Sequence, residues 1–265
     1  MKLTFIGGGV MGEAIIAGVL NKGLAAASDI SVCEIVPDRR KYLAATHGVS
    51  VTDNASDAAA GADMVVLAVK PQEFASAAKS LSGLSDTQTV MSIMAGVKII
   101  TIQSALKHEA VVRAIPNTPA QIGEGMTVWT ATPSVPEEAR KAVAGVLSVL
   151  GREIYAGDEK YINMATAVSS SGPAYIFLVI EAMIDAAVHI GLRRDMAVPM
   201  VLQTVLGSAR YAQETGKHPA ELRNQVTSPG GTTTEGLQVL EDAAVRAAFT
   251  DAIQAAYEKA NELGG

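Results

Sequence analysis

Apolar positions along the chain change their spacing near residue 158. Before this point, short β-rich runs alternate with segments of helical periodicity, which is typical of a parallel sheet covered by helices on both faces. After it, strand-like runs disappear and long stretches rich in alanine, leucine and methionine follow. The pattern predicts two domains: a doubly wound α/β domain over residues 1–158 and an all-helical domain over residues 159–265.

Eight strands are predicted in the first domain, near residues 2–6, 30–35, 49–51, 63–69, 88–94, 110–115, 126–131 and 152–155. Helices fill most of the gaps, including Val10–Asn21 and residues 136–150, where Pro136 suits a first helical position. The second domain is expected to hold helices near residues 159–190, 195–214, 218–226, 231–242 and 244–262. Gly172-Pro173 should break or kink the first of these helices.

Charged residues are scarce between residues 161 and 190 and between residues 196 and 207. A helix that is apolar nearly all round must be buried, and a partner subunit is the economical way to bury it. The alternative is an unusually compact monomer. Residues 173–190 approach membrane-spanning length, but Glu181 and Asp185 lie in their middle, which favours a buried helix over a membrane span.

The composition argues against several classes of function and location. With 265 residues, 49% of them apolar, the chain can bury a large core, and its net charge of −6 argues against nucleic-acid or anionic-membrane partners. Cys33 is the single cysteine, so no intrachain disulfide forms, which favours a reduced cytoplasmic protein. A secretory signal is the rival interpretation of the N-terminus, but Glu13 and several glycines interrupt its apolar stretch.

A glycine-rich turn follows the first predicted strand and opens the first helix. Gly7, Gly9 and Gly12 fit the G-x-G-x-x-G pattern that binds a dinucleotide pyrophosphate at a helix N-terminus. Glu34 lies 22 positions after Gly12, where a ribose-binding acid belongs, so a Rossmann-type cofactor site is predicted. The alternative is a turn that only lets the helix pack. The residues expected at the cofactor are Ile6, Gly7, Gly8, Gly9, Val10, Met11, Gly12 and Glu34.

Other strand ends should face the same crevice, because ligands of such sheets bind outside the carboxyl ends of the strands. Asn117 is expected to help fix the nicotinamide ring, although its Pro-flanked segment is also typical of an ordinary turn. Asn54 is expected at the adenosine end of the cofactor, or else as a helix cap. The further cofactor-binding candidates are Ala68, Val69, Lys70, Pro71, Ala95 and Gly96.

Two segments of the helical domain are also candidate ligand-binding sites. Residues 228–234 combine two glycines with threonines before a predicted helix, and such a terminus attracts a carboxylate or phosphate. The alternative is that a threonine only caps the helix. Residues 166–175 pack small hydroxyl side chains around a proline break, where they either bond backbone carbonyls or present a hydroxyl to a ligand.

These segments resemble the pyrroline-5-carboxylate reductase family over essentially the whole chain. The matching motifs are Phe5-Ile6-Gly7-Gly8-Gly9, Ser169-Ser170-Ser171-Gly172-Pro173-Ala174-Tyr175, His218-Pro219 and Ser228 to Thr233. The resemblance implies reduction of 1-pyrroline-5-carboxylate to L-proline by NADPH or NADH, the last step of proline synthesis. It also implies an all-α C-terminal dimerisation domain, with interleaved helices and often further assembly into a decamer.

The resemblance also implies roles for individual residues. Ser228, Gly231, Thr232 and Thr233 would hold the substrate carboxylate, and Thr166 would lie near the imine nitrogen as proton donor or relay. Relatives that use NADPH often have a small hydroxyl residue at the position of Glu34, which tilts the expectation towards NADH. Arg39 and Arg40 would offset the repulsion of a 2′-phosphate. Some relatives place a substrate-binding glutamate where this chain has Gly216.

Three alternatives were weighed against this assignment. Glu181, Asp185 and His189 recur every four residues like metal ligands, but a paired polar stripe is favoured and no metal is predicted. A β-hydroxyacid dehydrogenase relies on a lysine where this chain has Ser-Gly-Pro-Ala-Tyr. A non-catalytic dinucleotide-sensing protein would bind the cofactor without turnover.

Overall fold

The first part of the chain forms an eight-stranded sheet, as the sequence predicts. The computed structural model describes residues 1–263. The strands run in the order β3-β2-β1-β4-β5-β6-β7-β8, and every neighbouring pair is parallel except β6 with β7. They are β1 (Leu3–Ile6), β2 (Ile30–Cys33), β3 (Ser50–Thr52), β4 (Met64–Leu67), β5 (Thr89–Ser92), β6 (Val111–Ile115), β7 (Gly125–Ala131) and β8 (Gly151–Tyr155).

Strand order reverses at β1, which lies between β2 and β4. Ile6 at its end pairs with Cys33 on one side and with Leu67 on the other. All three strands therefore end at the same edge, and the segments that follow them meet there. This reversal point is where doubly wound sheets bind their ligands.

Six helices cover the two faces of the sheet: α1 (Val10–Asn21), α2 (Pro37–His47), α3 (Ala55–Ala59), α4 (Phe74–Ser80), α5 (Ile99–Leu106) and α6 (Glu137–Ser148). Successive side chains of β1 point to opposite faces of the sheet. Phe5 packs in a core with α1, α2 and α6, whereas Ile6 packs in a second core with α3, α4 and α5. Helix α6 begins at Glu137, so Pro136 is its extended N-cap rather than its first helical residue.

The regular structure in the rest of the described chain is all helical, which confirms an α/β domain followed by an all-α domain. After α7 (Lys160–Ala165), residues Thr166–Ser170 form a π-helical turn. The helices that follow are α8 (Gly172–His189), α9 (Arg194–Thr215), α10 (Pro219–Gln225), α11 (Thr232–Asp242) and α12 (Val245–Leu263). The break predicted at Gly172-Pro173 thus takes the form of a π turn just before Gly172.

Contacts divide the chain into two compact units. Residues 1–171 form the first unit together with the end of α12 from residue 256, and residues 172–255 form the second. In the second unit, α8 packs along α9, yet no residue of α8 is buried in the described chain. The helical stretch Lys160–His189 is long and apolar enough to cross a membrane by length and composition alone.

Candidate functional site

Two glycines of the N-terminal turn are required by the packing of the protein itself. Gly7 has a φ of +100°, and a Cβ there would lie 2.7 Å from the carbonyl oxygen of Ala68. A Cβ on Gly12 would lie 2.8 Å from the carbonyl oxygen of Gly7. The first and third glycines of the motif therefore close the turn and seat α1 against β1 and the end of β4.

Gly9 is different, because the protein gives no steric reason for it. Its φ of −66° suits any residue, and no described heavy atom comes within 4 Å of an added Cβ. The next residue, Val10, is 62% exposed, and the described chain supplies no side-chain cap to α1. Free amides at a helix N-terminus, beside a glycine facing open space, fit a dinucleotide pyrophosphate.

Glu34 lies beside this turn, as its spacing predicts. Its Oε2 accepts a hydrogen bond from the Gly8 amide and its Oε1 accepts one from the Val36 amide, each at 2.9 Å. Both downstream arginines are held by the protein. Arg39 donates to the Gly8 carbonyl at 2.7 Å, and Arg40 donates to the Glu34 carbonyl at 2.6 Å.

Side chains of α1 and α2 form a cluster of charged groups next to the glycine turn. Glu13 pairs with Arg39, and its second oxygen lies 3.0 Å from His47 Nε2. Burial by itself raises the pKa of the Glu13 carboxyl, but the hydrogen bonds to His47 and Arg39 outweigh it, so the pKa lies below its ordinary value. Burial likewise raises the pKa of the Cys33 thiol, which keeps it protonated and unreactive.

The other predicted strand ends differ in their surroundings. Ala68 meets the glycine turn directly, and its amide donates to the Ile6 carbonyl at 2.8 Å. Val69 is half-buried, and Lys70, Pro71 and Ala95 are exposed. Gly96 has a φ of +75°, and its Cβ position lies 3.2 Å from Leu263 near the end of α12.

Asn54 caps α3, which was the alternative to a cofactor contact. Its Oδ1 accepts hydrogen bonds from the amides of Ser56 and Asp57 at 3.0 and 3.2 Å. Asn117 is also engaged inside the protein. Its Nδ2 donates to the Ser169 carbonyl at 3.0 Å and its Oδ1 accepts from the Met126 amide at 2.9 Å.

Thr166 opens the π turn and is half-buried. Its hydroxyl donates to the Ile162 carbonyl at 2.8 Å. The hydroxyl proton is therefore held by the backbone, and the oxygen lone pairs remain as the polar feature that Thr166 offers to a ligand.

In the second unit, residues 228–233 form a glycine turn that leads into α11. A Cβ on Gly231 would lie 2.4 Å from Ser228 Oγ, so a side chain there would displace the Ser228 hydroxyl. Thr234 Oγ1 donates to the Ser228 carbonyl at 2.8 Å and fixes the turn. Gly231 is the N-cap, and among the described residues no side chain caps the helix. The amides of Thr232 and Thr233 thus lead an uncapped helix, a suitable site for a carboxylate.

On the face of α8 that carries Glu181, Asp185 and His189, one of the three side chains has an ion-pair partner. Asp185 forms an ion pair with Arg194 at 2.8 Å. In the described part of the chain, no three His, Cys, Asp or Glu side chains group to hold a metal ion.

Arg113, which is fully buried in β6, was missed in the sequence. Its guanidinium donates to Glu159 Oε1 at 2.8 Å and to Asn163 Oδ1 at 2.9 Å. Asn163 in turn donates to Asn261 of α12 at 2.9 Å. An arginine inside the apolar run Val-Val-Arg-Ala-Ile is the available signal, because such a charge needs buried partners.

Comparison with known proteins agrees with this geometry. A family model for pyrroline-5-carboxylate reductase dimerisation matches residues 159–263, and a model for NADP oxidoreductase, coenzyme F420-dependent, matches residues 2–96. The chain is 43% identical over 265 residues to a pyrroline-5-carboxylate reductase of Synechocystis, with 100% of this chain and 98% of that one covered. This chain belongs to the pyrroline-5-carboxylate reductase family.

Solved structures of the family share the whole fold. The pyrroline-5-carboxylate reductase of Coxiella burnetii superposes with a TM-score of 0.92 at 36% identity, covering 100% of this chain and 98% of that one. The Plasmodium falciparum pyrroline carboxylate reductase with NADP bound superposes with a TM-score of 0.90 at 28% identity, with the same coverage.

Proposed function

We propose that the protein reduces 1-pyrroline-5-carboxylate to L-proline with NADPH or NADH, the last step of proline synthesis. The observation that carries this proposal is full-length membership of the reductase family, at 43% identity to the Synechocystis enzyme. The open space at Gly9 and the uncapped start of α11 agree with it, because they suit a dinucleotide and a carboxylate.

This reaction needs little general acid–base catalysis from the protein. An unconjugated cyclic imine is basic, so its protonated form is already electrophilic and needs chiefly orientation. A reduced nicotinamide bound to the first unit would supply a hydride to the imine carbon. The nitrogen keeps the proton it already holds, and the product is the secondary amine of proline.

We assign the cofactor to the first unit. The amides from Gly9 to Gly12 would hold the pyrophosphate, because those of Gly7 and Gly8 already donate to the Cys33 carbonyl and to Glu34. Gly7 and Gly8 would complete the turn around the cofactor, and Glu34 would hold the adenosine ribose. The remaining cofactor-binding assignments are Ile6, Ala68, Val69, Lys70, Pro71, Ala95 and Gly96. The side chains of Asn54 and Asn117 were expected there as well, but they form hydrogen bonds within the protein instead.

We assign the substrate carboxylate to Ser228, Gly231, Thr232 and Thr233. The hydroxyls of Ser228, Thr232 and Thr233 and the amides of Thr232 and Thr233 would donate to it. Gly231 would let it approach the backbone closely, because the Gly231 amide itself donates to the Ser228 carbonyl at 3.1 Å. Thr166 would lie near the imine nitrogen. Since its hydroxyl proton is bound by Ile162, we expect its oxygen to accept a hydrogen bond from the protonated imine rather than to donate the proton.

We further propose a cytoplasmic homodimer, with a decamer as a higher assembly, and a domain boundary between residues 158 and 159. Phe177 and Leu178 on α8 are 59% and 66% exposed in the single chain, and the dimerisation model begins at residue 159. Glu181 and Asp185 on α8 favour a second protein chain over lipid as the cover of this helix.

The activity is tested by mixing the protein with reduced nicotinamide cofactor and 1-pyrroline-5-carboxylate. We expect loss of the reduced-nicotinamide absorbance and formation of proline. A protein that oxidises β-hydroxyacids instead, or that binds cofactor without turnover, would contradict the proposal.

The substrate assignment is tested by Thr233→Val. Losing a hydrogen bond to a carboxylate should raise the substrate KM about tenfold and leave the cofactor KM within about twofold. Thr250→Val is the matched control, because the Thr250 hydroxyl donates to the Arg246 carbonyl within α12. Equal losses for substrate and cofactor would count against the assignment.

A further inference from the structure

Pro173 leaves one carbonyl of the preceding turn without its helical partner. In a continuous α-helix the Ser169 carbonyl would accept from the amide of residue 173, but proline has no N–H and its ring crowds that carbonyl. The chain instead forms a π turn, in which the Ser171 amide donates to the Thr166 carbonyl at 2.9 Å.

Asn117 supplies the missing hydrogen bond from another part of the first unit. It lies just beyond the end of β6, and its Nδ2 donates to the Ser169 carbonyl at 3.0 Å. Its Oδ1 is fixed at the same time, because it accepts from the Met126 amide of β7 at 2.9 Å. One side chain thus connects two strands of the sheet to the carbonyl that proline leaves unpaired.

The hydroxyls of the π turn also bond its own backbone. Thr166 donates to the Ile162 carbonyl, and Ser169 Oγ donates to the Ala165 carbonyl at 3.1 Å. Because a π turn holds one more residue than an α turn, it changes the direction in which these side chains point. Whatever holds the π turn therefore sets the position of Thr166.

We propose that Asn117 is a positioning residue of the reductase, which acts through the Ser169 carbonyl to hold the π turn and Thr166. This inference rests on the proposed function, in which Thr166 lies at the imine. It assigns Asn117 a role different from contact with the nicotinamide ring.

The first test is Asn117→Ala, which leaves the Ser169 carbonyl unpaired. We expect kcat to fall about tenfold while the cofactor Kd stays within about twofold. Gln121→Ala is the control, because Gln121 lies in the adjoining 3₁₀ turn, where its side-chain amide donates to the Thr118 carbonyl. A tenfold rise in cofactor Kd with unchanged kcat would overturn the inference and favour a ring contact.

The second test adds Pro173→Ala, which returns an N–H that can serve the Ser169 carbonyl. In this background, Asn117→Ala should lower kcat less than about twofold, because the two changes act on the same hydrogen bond. Losses that multiply independently would overturn the inference. A general destabilisation by Asn117→Ala would give such independent losses.

Hydrogen–deuterium exchange gives a measurement that needs no substrate. We expect Asn117→Ala to speed exchange in peptides covering residues 166–171 and to leave peptides of β1 and β4 unchanged. Unaltered exchange in residues 166–171 would overturn the inference. Failure of the proposed function is separate, since it would remove turnover from the wild-type protein and leave this exchange result intact.

Discussion

The glycine turn and helix α8 are both rich in small or apolar residues, but the single chain explains them to different extents. Gly7 and Gly12 are required by contacts inside the first unit, whereas Gly9 faces open space. On α8, by contrast, no residue is buried in the described chain, although most of its side chains are apolar. From these two features, which the packing of the chain does not explain, we expect a cofactor to bind at Gly9 and a second subunit to pack on α8.

The largest expected effect is on the free energy of unfolding, and it distinguishes Gly7 from Gly9. Gly7→Ala places a Cβ against the Ala68 carbonyl at a positive φ, which should cost about 4 kcal/mol of unfolding free energy. Gly9→Ala should leave the melting temperature unchanged and weaken cofactor binding, as measured by thermal unfolding and fluorescence titration. A stable Gly7→Ala protein, or a Gly9→Ala protein with normal cofactor affinity, would break the comparison.

The next effect concerns the apolar face of α8. Leu178→Asp places a charge on this face in both subunits of a symmetric dimer, so association should weaken by about 3 kcal/mol. Light scattering after size-exclusion chromatography should then show monomers at concentrations where the wild type is dimeric. Ile122→Asp is the control, since Ile122 is 79% exposed in the first unit. Unchanged assembly of Leu178→Asp would remove α8 from the interface.

A smaller effect tests the carboxylate beside the glycine turn. Glu34→Ser removes a charge that would repel a 2′-phosphate, so the ratio of kcat/KM for NADPH over NADH should rise about tenfold. The measurement is initial rate with each cofactor at fixed substrate. An unchanged ratio would mean that Glu34 only holds the Gly8 and Val36 amides.

The smallest effect depends on pH. Because the pKa of Glu13 is lowered in the folded protein, its carboxylate stabilises the fold above its unfolded-state pKa, and this contribution is lost as pH falls through the lowered pKa. Glu13→Gln should therefore be about 1 kcal/mol less stable than wild type at neutral pH. Denaturant unfolding at several pH values should show the difference vanish in acid. A difference that persists in acid would contradict the ion-pair explanation.

Local patterns were enough to predict the sheet, the glycine turn and the position of Glu34, because strand, turn and helix signals lie close together in the sequence. The role of Asn117 could not be predicted, since Ser169 is 52 residues away. Proline at position 173 predicted a break, but the π turn depends on that distant amide. Arg113 was missed for the same reason, because Glu159 and Asn163 lie 46 and 50 residues further along the chain.

The central claim is that the protein transfers a hydride directly from the reduced cofactor to the imine carbon. It is tested most directly by turnover with reduced cofactor deuterated at the transferable C4 position of the nicotinamide. The account predicts deuterium on the proline ring carbon that bonds nitrogen and lacks the carboxylate. Proline without deuterium at that carbon, or no proline at all, would contradict it.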